Sequence, residues 1–159
     1  MQFTKTIDIN ATPQEVWTVF AHGFDDAYKW MASVPRSYAK TNGELFEGAR
    51  SAGRVCELKR EPTGLKATEK FTAYNEATKT CTIRIDFLDA PFLFPVHHNA
   101  VTFSVVGAAN GRAKVTLALL ALTGVVFLPW RVTRWRHMPC VSRCFQTSTS
   151  QYLRTKGDD

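Results

Sequence analysis

Cysteine is scarce in this sequence and shows no pattern: four residues (Cys56, Cys81, Cys140, Cys144), none in a CxxC pair. That spacing argues against a disulfide framework and predicts free thiols in a reducing compartment, the cytoplasm. Cys140 and Cys144 are four apart and would share one helix face, which suits packed thiols better than half of a metal site. Also missing are GxSxG, HExxH, a glycine-rich phosphate loop and any telling Cys–His spacing. No metal or cofactor is expected. The N-terminal MQFTKTIDIN has no apolar core segment, so no signal peptide is expected. Repeats, low-complexity tracts and interior linkers are lacking too, and residues 1–159 are expected to form a single domain.

No charge occurs from Val115 to Trp130, a run of 16 residues. A membrane-spanning helix needs about 20, and Thr116, Thr123, Gly124 and Pro129 interrupt this run. A buried strand over 115–125 is expected in its first half.

What is present is apolar and aromatic: 45% hydrophobic residues, with eleven Phe and four Trp. The net charge is +6. Such an excess can favour anionic partners, but no nucleic-acid motif accompanies it, so no nucleic-acid partner is expected.

Phe3–Asn10 alternates as a half-buried strand, with Lys5 a misfit on the face of Phe3, Ile7 and Ile9. Thr12-Pro13-Gln14-Glu15 is a capping box with Pro at the first helical position. It predicts a helix over 13–21 that buries Val16, Trp17 and Phe20 and breaks at His22-Gly23. A second short helix is expected over 24–31. From about 36 to 125 the signals are strands and turns, about six of them. Leu65–Ala73 puts Leu65, Ala67, Glu69, Phe71 and Ala73 on one face. If Glu61–Gly64 is the loop to the preceding strand, Cys56 faces Glu69, and Arg54 faces Phe71, diagonal to Glu69. Thr80–Leu88 turns Cys81, Ile83, Ile85 and Phe87 inward. Residues 96–107 put His97, Asn99, Val101, Phe103 and Val105 on one face. Ala109-Asn110-Gly111 reads as a hairpin loop with Gly111 left-handed, which pairs Val115, Leu117 and Leu119 with Val105, Phe103 and Val101. Residues 130–155 have a helical period, with Pro139 as a kink.

This order of strand, two short helices, about six antiparallel strands and a long final helix resembles the helix-grip fold of the SRPBCC superfamily. That superfamily covers START-like, Bet v 1-like and polyketide cyclase/dehydrase-like proteins. IDINATPQEVW and GRVCEL followed by the Glu69 strand are similar to it locally. The resemblance implies an α+β fold in which a curved antiparallel sheet wraps around a long C-terminal helix. It implies a cavity for a hydrophobic small molecule such as a lipid, isoprenoid or polyketide, used by a carrier or sensor. The alternative is a polyketide cyclase or aromatase acting in the same cavity.

Glu69 is a carboxylate on an apolar face and needs a partner; Arg54 is the expected one. With His97 they are the candidates for proton transfer or enolate stabilisation should the protein be an enzyme. The expected ligand-contacting set adds Trp30, Cys56, Phe71, Phe87, Asn99, Phe103 and Trp135 to these three. Arg131, Arg134 and Arg136 form a cluster suited to a peripheral membrane surface. The pattern sets no oligomeric state.

Overall fold

The computed structural model describes residues 2–58, 64–90 and 96–123. The helix expected over 130–155 lies outside them, and with it Trp135, Arg131, Arg134, Arg136, Cys140 and Cys144.

Seven antiparallel strands form one curved sheet: β1 (Gln2–Ile9), β2 (Arg36–Ala39), β3 (Gly53–Glu57), β4 (Lys66–Asn75), β5 (Thr80–Leu88), β6 (Val96–Gly107) and β7 (Ala113–Thr123). Their spatial order is β1-β7-β6-β5-β4-β3-β2. Between β1 and β2 lie α1 (Pro13–Trp17), a π-helical turn over Thr18–His22, and α2 (Ala27–Trp30).

The start of α1 follows the expected capping box. Thr12 accepts a hydrogen bond from the Glu15 backbone N–H at 3.3 Å, and the Thr12 N–H donates to Glu15 Oε2 at 2.7 Å. The Thr12 hydroxyl also donates to Glu15 Oε2 at 2.7 Å, and this bond, with that from the Thr12 N–H, holds the Glu15 carboxyl below its usual range. The helix is not α-helical to residue 21. It widens into the π turn after Trp17, and Gly23 ends it, where a Cβ would meet the Val19 carbonyl at 2.9 Å. Val16, Trp17, Phe20 and Ala21 are buried all the same. The second helix is only Ala27–Trp30, shorter than the pattern suggests.

The uncharged run at 115–130 begins as a strand. Val115–Thr123 belongs to β7, hydrogen-bonded between β1 and β6. No helix among the described residues is long and apolar enough to cross a membrane. The β6–β7 register pairs Val105 with Val115, Phe103 with Leu117 and Val101 with Leu119, closed by Ala109–Gly111 with Gly111 at φ 72°. Phe3, near the start of edge strand β1, is 53% exposed rather than buried, while Ile7 and Ile9 farther along the same face are buried.

Two departures in β4 shape the interior. The β3–β4 hairpin is shifted by two residues from the expected register: the Leu58 N–H donates to Leu65 O, and Cys56 faces Ala67. An even shift keeps every side chain on its face. It sets Arg54 directly opposite Glu69 instead of Phe71. A bulge between Phe71 and Ala73 then flips the alternation. Tyr74, opposite Cys81, turns inward, and Ala73 is exposed.

Tyr74 helps to close the end of the sheet under α1. Glu76, in the β4–β5 turn, accepts from Trp17 Nε1 at 2.8 Å and from the Tyr74 hydroxyl at 2.7 Å, and its Oε1 lies 3.1 Å from His22 Nε2. Burial pushes the Glu76 carboxyl up, but the bonds from Trp17, Tyr74 and His22 outweigh it, and its pKa falls below 4.5. A carboxyl lowered by folding stabilises the fold above its unfolded pKa and loses that contribution as pH drops through the folded value. Glu76→Gln is therefore expected to lower the melting temperature at pH 7. The gap to the wild type should close as pH falls below about 4.5. Melts at pH 7 and pH 3.5 measure it; an equal gap at both would show that the charge is not what matters.

Candidate functional site

The inward face of the sheet is mostly apolar: Arg54, Glu69 and Asn99 lie along one line, Lys5 and Ser37 sit on the edge strands β1 and β2, and Tyr74 turns in after the β4 bulge. Glu69 is inward because it alternates with buried Ala67 and Phe71, and Arg54 is inward because it is registered to Glu69. Gly53 permits this approach, since a Cβ there would overlap the Glu69 carbonyl oxygen. Arg54 is 2% exposed and Glu69 7%.

Every Arg54 nitrogen is engaged. Nε and Nη2 donate to Glu69 Oε2 at 2.9 and 2.6 Å, and Nη1 donates to the Phe24 carbonyl at 2.8 Å. The guanidinium lies 4.1 Å from the centre of the Phe24 ring and 5.5 Å from that of Trp30. Such cation–π contacts are strongest where water is excluded. Arg54 thus pins two sheet strands to the segment between the π turn and α2. Ser37 makes a second tie, donating to Asp25 O at 2.6 Å and accepting from the Tyr28 N–H at 3.1 Å.

Cys56, next inward on β3, is fully buried. Burial pushes its thiol up to about 12; Arg54 pulls it down, while the charge and hydrogen bonding of Glu69 add to the rise. Cys81 is also raised to about 12, chiefly by burial, with Arg54 opposing. A thiol so far above neutral pH is not a nucleophile. Neither Cys56 nor Cys81 is expected to be alkylated by iodoacetamide in the native protein, and both should react in denaturant. Peptide mapping by mass spectrometry reads this; native modification of Cys56 would mean that the site opens readily.

The aromatic residues of the site divide into two groups. Phe71 packs against Phe24 at 4.3 Å, Phe103 stacks on Phe20 at 3.5 Å, and Trp30 meets Phe20 at 5.6 Å. These three are buried core beneath the short helices. Phe87, Ile85 and Leu117 are only partly buried against that core. Val101 and Leu119 are likewise half-buried. Asn99 on β6 is registered to Ile85 and so shares the inward face. Its Oδ1 is shielded from solvent and has no hydrogen-bond partner among the described residues. His97 belongs to β6, but its side chain lies outside the description. Tyr38 is on the edge strand and 42% exposed.

A depression of about 330 Å³ opens between the 40–52 loop and β4, lined among others by Lys40, Glu44, Phe46, Lys70 and Thr72. Phe71 also touches this hollow, but Arg54, Glu69 and Asn99 are not part of its lining, so it does not gather the inward polar groups. Among the described residues no group of His, Cys, Asp and Glu is placed to hold a metal ion.

Sequence reasoning missed the Phe24 carbonyl and ring as partners of Arg54. No periodic signal marks a backbone oxygen in a helix junction. It also missed Glu76, whose partners come from separate segments.

The sequence matches a family model described as "Polyketide cyclase / dehydrase and lipid transport" over residues 1–137. No curated protein matches it. Several solved structures share the fold. Ara h 8.0201 is 14% identical with a TM-score of 0.73, and the superposition covers 98% of each chain. The protein XoxI from Bacillus cereus is 20% identical with a TM-score of 0.61, over 99% of this chain and 96% of that one. A START superfamily protein from Mycobacterium smegmatis is 12% identical with a TM-score of 0.60, over 97% and 92%.

Proposed function

The chain belongs to the polyketide cyclase/dehydrase and lipid transport family, and from that premise we propose that it is a single-domain, cytoplasmic carrier or sensor that holds a hydrophobic small molecule against the inward face of its sheet. The observation that supports this most is the mixed character of that face. Half-buried Ile85, Phe87, Val101, Leu117 and Leu119 supply apolar wall. Arg54, Glu69 and Asn99 are polar groups set into its middle, with Lys5 and Ser37 at its edges. Sparse polar anchors on apolar walls are the composition of small-molecule sites.

The cyclase alternative draws on Arg54 to steady an enolate and on Glu69 or His97 to move protons. The hydrogen bonds weigh against it. Each Arg54 nitrogen already has a protein acceptor, and Glu69 is tied to that guanidinium. Binding without turnover is the reading that the geometry favours. Trp135 and the cluster Arg131, Arg134 and Arg136 keep their proposed roles as ligand contact and membrane-facing patch.

Native mass spectrometry of the purified protein, followed by solvent extraction, tests this reading. A bound apolar molecule of defined mass, released on denaturation and unchanged after incubation, is expected. Conversion of the molecule during incubation would favour the enzyme.

A further inference from the structure

The strand registers place four inward residues in one line. Arg54 on β3 faces Glu69 on β4, Glu69 faces Ile85 on β5, and Ile85 faces Asn99 on β6. Glu69 and Asn99 are therefore two strands apart, about 10 Å at the backbone, with one apolar side chain between them.

The hydrogen-bonding capacity left along this line is one-sided. Arg54 donates from every nitrogen to a protein oxygen. Both of its bonds to Glu69 end on Oε2, so Arg54 leaves Oε1 untouched. Among the described residues the Cys56 thiol, a weak donor, also bonds that carboxylate. An ionised carboxylate has about four acceptor sites, and these bonds do not fill them. Asn99 Oδ1 is shielded from solvent with no donor among the described residues. Leaving such an oxygen unpaired is unfavourable. A ligand donor would remove that cost.

We propose that the molecule held on this face is a neutral, rigid, apolar diol, with one hydroxyl donating to Asn99 Oδ1 and the other to Glu69. This rests on the binding reading above and narrows it to a ligand class. Neutrality follows from charge: Arg54 and Glu69 already cancel, so an ammonium would add an uncompensated buried charge. A carboxylate would meet two acceptors. A poly-ketone offers only acceptors to a line that needs donors. The flat apolar frame lies over Ile85, and its hydroxyls bracket that residue.

Isothermal titration calorimetry on the full chain compares 2,6-dihydroxynaphthalene with 2,6-dimethoxynaphthalene, which has the same frame but no donor. The diol is expected to bind at least about tenfold more tightly. Asn99→Leu is expected to remove most of that preference and to melt no lower than the wild type, because it deletes the orphan oxygen. Should leucine prove too bulky to fold, Asn99→Ala makes the same comparison. Equal affinities for diol and ether, or a preference that Asn99→Leu leaves intact, overturn the proposal. Failure of the diol to bind overturns it as well. Failure of the generic apolar probe N-phenyl-1-naphthylamine to bind the folded protein overturns the binding reading itself.

Discussion

Arg54→Ala is expected to destabilise the protein by about 3–5 kcal/mol, one of the largest effects of any single replacement. The lost ion-pair attraction is the smaller part. The larger part is what remains: Glu69, 7% exposed, with its charge-assisted hydrogen bonds gone. The Phe24 carbonyl loses its donor at the same time. The double replacement Arg54→Met with Glu69→Leu should recover most of the loss, because it removes both charges and fills the space with apolar atoms. Urea denaturation of the wild type, both single variants and the double variant gives the coupling. A cost below about 1 kcal/mol for Arg54→Ala would mean that the pair is solvated like a surface salt bridge.

Phe103→Ala is expected to cost a similar amount, about 3–5 kcal/mol, for an unrelated reason. Phe103 is fully buried, stacked on Phe20 at 3.5 Å with the rings only 9° from parallel, and Trp17 lies 6.3 Å away. Removing the ring leaves a void that the π turn and the sheet cannot close without losing Phe20's own packing. Because Phe103 is core under the helix, affinity for N-phenyl-1-naphthylamine should stay within about threefold of wild type. A small stability loss together with a large loss of affinity would place Phe103 on the ligand surface instead.

That second prediction marks how far the sequence could be read. Alternation assigned Phe103 to the inward side, and Cys81, Ile83 and Phe71 with it, because a period of two follows directly from strand geometry. It says nothing about what covers a residue, and Phe103 is covered by Phe20. The expected cavity aromatics Phe71 and Phe103 are therefore core, while Phe87 remains half-buried. Turns with distinct chemistry were legible to the residue: the Thr12/Glu15 box and the Ala109–Gly111 loop. The β3–β4 hairpin has no such signature, so its register came out two residues off while its faces came out right. The bulge after Phe71 and the π turn after Trp17 leave no mark in a pattern of apolar spacing. The Arg54–Glu69 pair was legible because a charge on an apolar face demands a partner. The Phe24 carbonyl and the Glu76 cluster were not, because they join segments that only folding brings together.

The central claim is that an apolar molecule occupies the inward face of the sheet. Methyl-labelled NMR during titration with N-phenyl-1-naphthylamine tests it most directly. The account predicts shifts in the methyls of Ile85, Val101, Leu117 and Leu119, which share the inward face, and none in the outward Val106 and Leu120, which are 51% and 45% exposed. Shifts confined to Val106, Leu120 and other outward methyls, or no shifts at saturating probe, would contradict it.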